Sequence, residues 1–255
     1  MMLRISFILT AFCCLITANM LHAEPKLVPD ISQSKVEIRS SFSGTELLLF
    51  GAIINKDIER HDKIDVVVIL RGPDQSIIIR EKQKVGGIWI NAASQEYLSV
   101  PSYYSIASSA PLEKIVDRKT ALIYELGINR LQLSPGGIID QNANQRFVDG
   151  LADLLQRKSI YAERQSEVQI TDNVLYRARL YLPSNVPVGT YIAETLLLSN
   201  GEVIAANDKV RVEIKKVGFE ALITKLAEQY SLFYGLLAVF ISLFLGWIAG
   251  RIFQK

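Results

Sequence analysis

Residues 182–205 read LPSNVPVGTYIAETLLLSNGEVIA. Pro183 and Pro187 keep the first third out of any helix, because neither has a backbone N–H to give to a ladder. Gly189 then releases the chain into Thr190–Leu198, a run of apolar and β-branched residues with the composition of a strand. Ser199-Asn200-Gly201 is a tight turn of the kind that joins antiparallel partners, and Glu202–Lys215 supplies the partner. Val174–Leu182 precedes the prolines with the same character, so the stretch anchors three late strands. Further upstream, strands are predicted near Lys35–Phe42, Glu46–Ile54, Ile64–Arg71 and Ser76–Val85. Ser43-Gly44, the charged segment Asn55–Lys63 and Gly72-Pro73-Asp74 separate them with turn chemistry. Ile64–Leu70 (IDVVVIL) is apolar at nearly every position, the pattern of a strand buried on both sides or central in a sheet.

Four early and three late strands make seven, the number an Ig-like β-sandwich needs. The proline-rich loop and Gly-x-Tyr step before a long strand resemble the late strands of such sandwiches, with Tyr191 in the position of a tyrosine corner. Between the two sets, about residues 85–165, the pattern turns helical. Leu112–Leu126 carries apolar residues at helical spacing and stops at Gly127, and Asn144–Lys158 repeats the pattern with Phe147, Leu151, Leu154 and Leu155. The expectation is a mainly β body, residues 24–217, as one Ig-like sandwich with a helical insertion; the rival is two small domains meeting near residues 110–160.

The two ends point to a membrane. Residues 1–23 have the form of an export signal, with Arg4, an apolar core Ile5–Ile16 and the small-residue end Leu21-His22-Ala23. The alternative is an uncleaved anchor. From Gln229 to Gly250 there are 22 consecutive residues without a formal charge. Residues 232–252 are predicted to span a bilayer, with Tyr230, Phe233 and Tyr234 at one edge and Trp247 and Phe253 at the other. Membrane lipid is therefore one expected partner. Residues 218–231 should form a juxtamembrane amphipathic helix running unbroken into the span, and 253–255 a cytoplasmic tail. Gly246 and Gly250 form a GxxxG pattern that permits close helix packing, leaving the oligomeric state open.

Taken in order, the blocks SxFxGTELLLFGAI, DVVVILRGP, VGGIWIN, VPSYYSIASSAPL, LPSNVPVGTY and KVGFEALITK, followed by the span, are similar to an alphaproteobacterial family of transmembrane proteins. The similarity runs from about residue 34 to the C-terminus. It implies a bacterial inner-membrane protein with a periplasmic body, and it assigns no catalytic residue.

The chemistry available is narrow. The formal net charge is +2, without the basic excess of a nucleic-acid binder. Both cysteines, Cys13 and Cys14, and His22 lie in the signal, so the processed chain keeps only His61 and no thiol. Neither GxGxxG nor GxxxxGK[ST] occurs, and no cofactor is expected. Asp57, Glu59, His61, Asp62 and Asp65 crowd one loop but alternate with Lys56, Arg60 and Lys63, which fits a solvated turn better than a cation site. Ser102, Ser105, Ser108 and Ser109 with Lys114 raise a Ser–Lys hydrolase without its SxxK spacing or a GxSxG elbow, so no catalytic residue is assigned. Trp89, Tyr97, Tyr103 and Tyr104 fall within 16 residues and are the candidate recognition surface, with packing at the seam between sandwich and insert as the competing role. The leading expectation is a protein-interaction or accessory module for another envelope protein, such as a transporter. A periplasmic small-ligand or glycan binding module is the alternative.

Overall fold

The computed structural model describes residues 25–54 and 63–253. The expected export signal, most of the charged loop (residues 55–62) and the last two residues of the expected tail lie outside the described residues. The described residues begin with β1 (Lys26–Ile31), β2 (Lys35–Ile38), β3 (Gly44–Ile54), β4 (Ile64–Arg71), β5 (Asp74–Val85), β6 (Ile88–Pro101) and β7 (Tyr104–Ser108). Next come the short helices α1 (Leu112–Ile115) and α2 (Arg118–Ile123), a 3-10 turn (Ile128–Arg130) and α3 (Gln141–Arg157). Then follow β8 (Tyr161–Arg164), β9 (Gln169–Thr171), β10 (Leu175–Pro183), β11 (Gly189–Ser199) and β12 (Glu202–Lys216), and finally α4 (Phe219–Gln229) and α5 (Ser231–Phe253). The fold is mainly β with a C-terminal apolar helix, as the sequence predicts.

Two sheets face each other. One has the order β1-β3-β10-β9, the other β2-β12-β11-β4-β7-β8. Alternation along the strands aims one set of side chains into the space between them. Leu47, Leu49 and Ile53 of β3 and Tyr176, Ala178, Leu180 and Leu182 of β10 are buried, opposite Tyr191, Ala193, Thr195 and Leu197 of β11. Polar ties cross the same gap: the Tyr176 hydroxyl lies 3.4 Å from Thr195 Oγ1, and Asn207 Nδ2 donates to the Leu27 carbonyl at 3.2 Å. Tyr191 is fully buried, and its hydroxyl donates to the carbonyl of Pro187 at 2.7 Å, fastening the start of β11 to the proline-rich loop before it. β4 is buried at every position from Ile64 to Leu70. The sandwich partner covers one of its faces. Residues 112–130 cover the other, where Arg71 Nη1 meets Glu125 Oε2 at 2.6 Å.

The insertion departs from its predicted bounds. Helix is confined to 112–157, and the flanks of the 85–165 segment are strands that pattern reading left out: the C-terminal half of β6, then β7 and β8. β7 is fully buried, so its alternation carries no polar signal. β8 pairs parallel to β7, Tyr104 opposite Tyr161, a pairing that needs the whole helical crossover between them. The insertion therefore extends the second sheet rather than interrupting it. Side-chain caps start α2 and α3: Asp117 accepts from the Thr120 N–H at 2.8 Å, and Asp140 accepts from the N–H groups of Asn142 and Ala143 at 3.0 and 3.1 Å.

β5 and β6 belong to neither sandwich sheet. They form a two-stranded arm, closed by Gly86 and Gly87 at φ +58° and +86°, the left-handed pair that a two-residue hairpin turn requires. A second departure is at the membrane end. Tyr230, with φ −130° and ψ 46°, separates α4 from α5, so the juxtamembrane helix and the span are two helices rather than one.

Candidate functional site

α5 is apolar around its entire circumference. Ser231–Ile252 is a 22-residue segment whose apolar 18-residue stretch has a mean hydropathy of 2.2 and is not buried against the body, and at about 1.5 Å per residue the segment is long enough to cross a hydrocarbon layer. Arg251 sits over the Trp247 ring at 5.6 Å near its C-terminal end. A Cβ placed on Gly246 or Gly250 would meet nothing within 4 Å, so both glycines lie on open helix surface. At the other end only Val217 and Gly218 separate β12 from α4. An open groove of about 930 Å³ lies where α4 comes against the end of the sandwich, lined by Val188, Gly189, Lys215, Lys216 and Lys225 among others.

The four aromatic residues proposed as a recognition surface do not form one. Trp89 is 65% exposed near the end of the arm, whereas Tyr97, Tyr103 and Tyr104 are at 0%. Each tyrosine closes a different seam. Tyr97 donates to Asn144 Oδ1 at 2.7 Å and pins the arm to α3; Tyr103 donates to the Tyr181 carbonyl at 2.7 Å and ties the two sheets. Tyr104 donates to the Glu125 carbonyl at 2.8 Å and accepts from the Gly127 N–H at 3.1 Å, fixing the insertion onto the second sheet. Arg71 stacks over its ring at 5.8 Å. The physical reason is the competing role named above: a phenol can bury its ring and still satisfy its hydroxyl from a backbone group. Burial pushes the Tyr103 hydroxyl up to about 12 and raises those of Tyr104, Tyr161 and Tyr191 as well.

The serines of the hydrolase reading are interior. Ser102, Ser105 and Ser108 are buried in or just before β7. Ser109 Oγ donates to Asp65 Oδ1 at 2.7 Å and accepts from the Val66 N–H at 3.2 Å. Lys114 is exposed on α1, outside the dry setting that would make it a base. Asp65, the described member of the acidic loop, is thus held by Ser109, with Lys63 at 3.7 Å.

The clefts are shallow and polar. One of about 410 Å³ is lined by Glu46, Arg164, Glu167, Arg177, Arg179 and Tyr181, with other residues. Its cations are already engaged: Arg179 with Glu46, Arg164 with Glu167, and Arg177 with the Gln169 side chain. Another, of about 310 Å³, holds Glu194 and Asp208 beside Arg71 and Glu125. Burial raises the Glu194 carboxyl, opposed by Arg71 and reinforced by Asp208 and Glu125.

The arm is the feature sequence reasoning passed over. Val85-Gly-Gly-Ile88 carries the two-residue hairpin signal, but Ile88–Asn91 reads as a separate short strand when the glycines are taken as a break. Residues 82–92 are exposed on both faces, including Val85 at 56%, Ile88 at 70% and Ile90 at 45%.

No curated protein and no solved structure matches the chain. A family model described as "Putative transmembrane protein (Alph_Pro_TM)" matches residues 26–255, from the first strand through α5. With a β body and one helix long and apolar enough to cross a membrane among the described residues, the chain belongs to this alphaproteobacterial transmembrane protein family.

Proposed function

We propose that this chain is a single-span inner-membrane protein whose periplasmic body, an Ig-like sandwich, docks on another envelope protein as an accessory module, a transporter being the favoured class of partner. The strand order supports the fold assignment: β1-β3-β10-β9 faces β12-β11-β4, the ABED and GFC order of such sandwiches, and the Tyr191–Pro187 tie supplies the tyrosine corner. The observation that carries the functional reading is the join between body and membrane. Two residues connect β12 to α4 and one connects α4 to α5, so the body is held at the bilayer surface, where a neighbouring membrane protein would present its own extramembrane parts. The export signal and the cytoplasmic-side charges Arg251 and Lys255 support the orientation.

Photo-crosslinking in intact membranes tests this, with the reactive side chain at Phe50, which is 38% exposed on the open face of the first sheet. A discrete adduct with one membrane protein, recovered again by gentle-detergent co-purification, is the expected result. A chain that crosslinks to nothing and purifies alone refutes the reading. A reporter fused after Lys255 that is active only in the periplasm refutes the orientation. A small-ligand or glycan module is the second reading, favoured by the cleft beside Tyr181, where Arg164 Nε is buried without a hydrogen-bond partner. Under it, Arg177→Ala would abolish ligand-induced thermal stabilisation and leave the crosslink absent.

A further inference from the structure

The outer part of the arm has a defined pattern. Paired residues in a hairpin share a face and neighbours alternate. The register pairs Val85 with Ile88, Lys84 with Trp89, Gln83 with Ile90 and Lys82 with Asn91. One face therefore presents Val85, Ile88 and Ile90 with Gln83 beside them, and the other presents Trp89 opposite Lys84, with Lys82 and Asn91 one step nearer the root. Nearer the root, the first face is the one that α3 covers. Ile77 and Ile79 are partly buried against the core, and Glu81 lies 3.8 Å from Arg146 of α3. Beyond Glu81 that cover stops and the apolar stripe continues. A two-stranded ribbon with neither face packed is marginal in water, so an apolar end of this kind is built for another phase.

Its root lies close to the anchor. Gly189 pairs with Ile214 near the end of β12, and a Cβ placed on Gly189 would lie 2.7 Å from Pro73 Cγ, at the base of the arm. The arm and the membrane-spanning helix thus leave the same end of the sandwich. Fully extended, twelve residues of β5 reach roughly 40 Å at about 3.3 Å per residue, and the last four beyond Glu81 account for roughly 13 Å of that. Trp89 is the ring type that prefers the bilayer interface, Ile88 and Val85 suit the acyl boundary, and Lys82 and Lys84 complement anionic headgroups.

We infer that the tip of the β5–β6 arm, Lys82–Asn91, is a second membrane contact that seats in the headgroup region of the leaflet facing the body, with an anionic phospholipid surface as its occupant. The inference rests on the span but not on the identity of any protein partner, so it stands or falls separately from the docking reading. Its consequence is orientation: one helix leaves a body free to spin and tilt, whereas helix plus arm define a plane.

The test uses the full-length protein reconstituted in vesicles of zwitterionic and anionic phospholipid. Trp247→Phe leaves Trp89 as the single tryptophan of the two in the chain. The expected result is strong quenching of Trp89 by lipids brominated near the carbonyl region, with loss of most of its acrylamide quenching. Charge reversal, Lys82→Glu with Lys84→Glu, should weaken the lipid quenching in anionic vesicles. Ile88→Asp should abolish it with the melting temperature unchanged, which separates loss of contact from unfolding. Trp89 open to acrylamide and untouched by brominated lipid overturns the proposal, as the arm is then free in water. Trp89 shielded from both quenchers also overturns it, and identifies a protein, partner or second copy, as the occupant.

Discussion

Replacing Tyr104 by phenylalanine removes one oxygen atom from a position with no solvent exposure. That oxygen serves two backbone groups, as donor to the Glu125 carbonyl and acceptor from the Gly127 N–H. Gly127 holds φ at +123°, so its N–H cannot readily turn to a new acceptor. Each buried polar group left unpaired costs about 1–3 kcal/mol, and partial relaxation brings the pair to roughly 2–4 kcal/mol. At about 2–4 °C per kcal/mol for a domain of this size, the melting temperature should fall by roughly 4–16 °C. Thermal unfolding of the full-length protein in detergent, followed by circular dichroism, reads this directly. Tyr103→Phe, which orphans only the Tyr181 carbonyl, should cost about half as much, and Trp89→Ala almost nothing. A Tyr104→Phe protein that melts with the wild type, or a Trp89→Ala protein that melts well below it, would refute the division of these aromatics into three core ties and one surface residue.

Two further outcomes follow from buried titratable groups. Tyr97, Tyr103, Tyr104, Tyr161, Tyr176 and Tyr191 all have hydroxyls raised by burial, so the folded state holds their protons more tightly than the unfolded chain. Their contribution is complete below about pH 10, the unfolded phenol value, and is lost as pH rises through the folded values; the denaturant midpoint should be flat to about pH 10 and then drop, and a midpoint unchanged at pH 12 would contradict the burial. Glu194 is the acidic counterpart: its raised carboxyl makes the ionised form a cost to folding at neutral pH that vanishes once it is protonated in both states. Glu194→Gln should therefore raise the melting temperature at pH 7 and leave it unchanged near pH 3, and a destabilised variant at pH 7 would show that the Arg71 attraction outweighs desolvation.

The strands that bury one face each were legible in the sequence because alternation or turn chemistry marked them: β3, β10, β11 and β12 lie within two residues of their predicted bounds; β4, buried on both faces, coincides with its prediction because its run is apolar except at Asp65. α3 begins three residues earlier than its apolar periodicity, where Asp140 provides the cap. The misses have separate physical causes. β7 is buried on both sides and reads as a loop because Tyr104, Ser105 and Ser108 are polar by type; backbone groups satisfy the Tyr104 hydroxyl, while the Ser105 and Ser108 hydroxyls are buried without a partner. β8, four residues long, is defined by a partner far away in sequence, and β9, three residues long, is too short to show alternation although it pairs with β10 across the Asp172–Asn173 turn. The single helix expected over Leu112–Leu126 breaks at Val116–Asp117, where the Asp117 side chain caps a new turn. For the candidate site, residue type singled out the aromatic residues of 89–104. It could not separate rings that hold a seam from a ring that faces outward, since that depends on which strand is covered by the insertion.

The place of β4 in the second sheet has a consequence for synthesis. Its apolar run, Ile64–Leu70, lies between β7 and β11, and β11 begins only at Gly189. A chain made from its N-terminus therefore carries a β-prone heptad, charged only at Asp65 and flanked by the gatekeepers Lys63 and Arg71, with an open edge through nearly half of its elongation, the type of window that nucleates aggregates when its flanks are neutralised. The strand that closes this edge is followed by β12 and then directly by the anchor, so the body becomes self-protecting at almost the moment the nascent protein is ready to be released into the lipid.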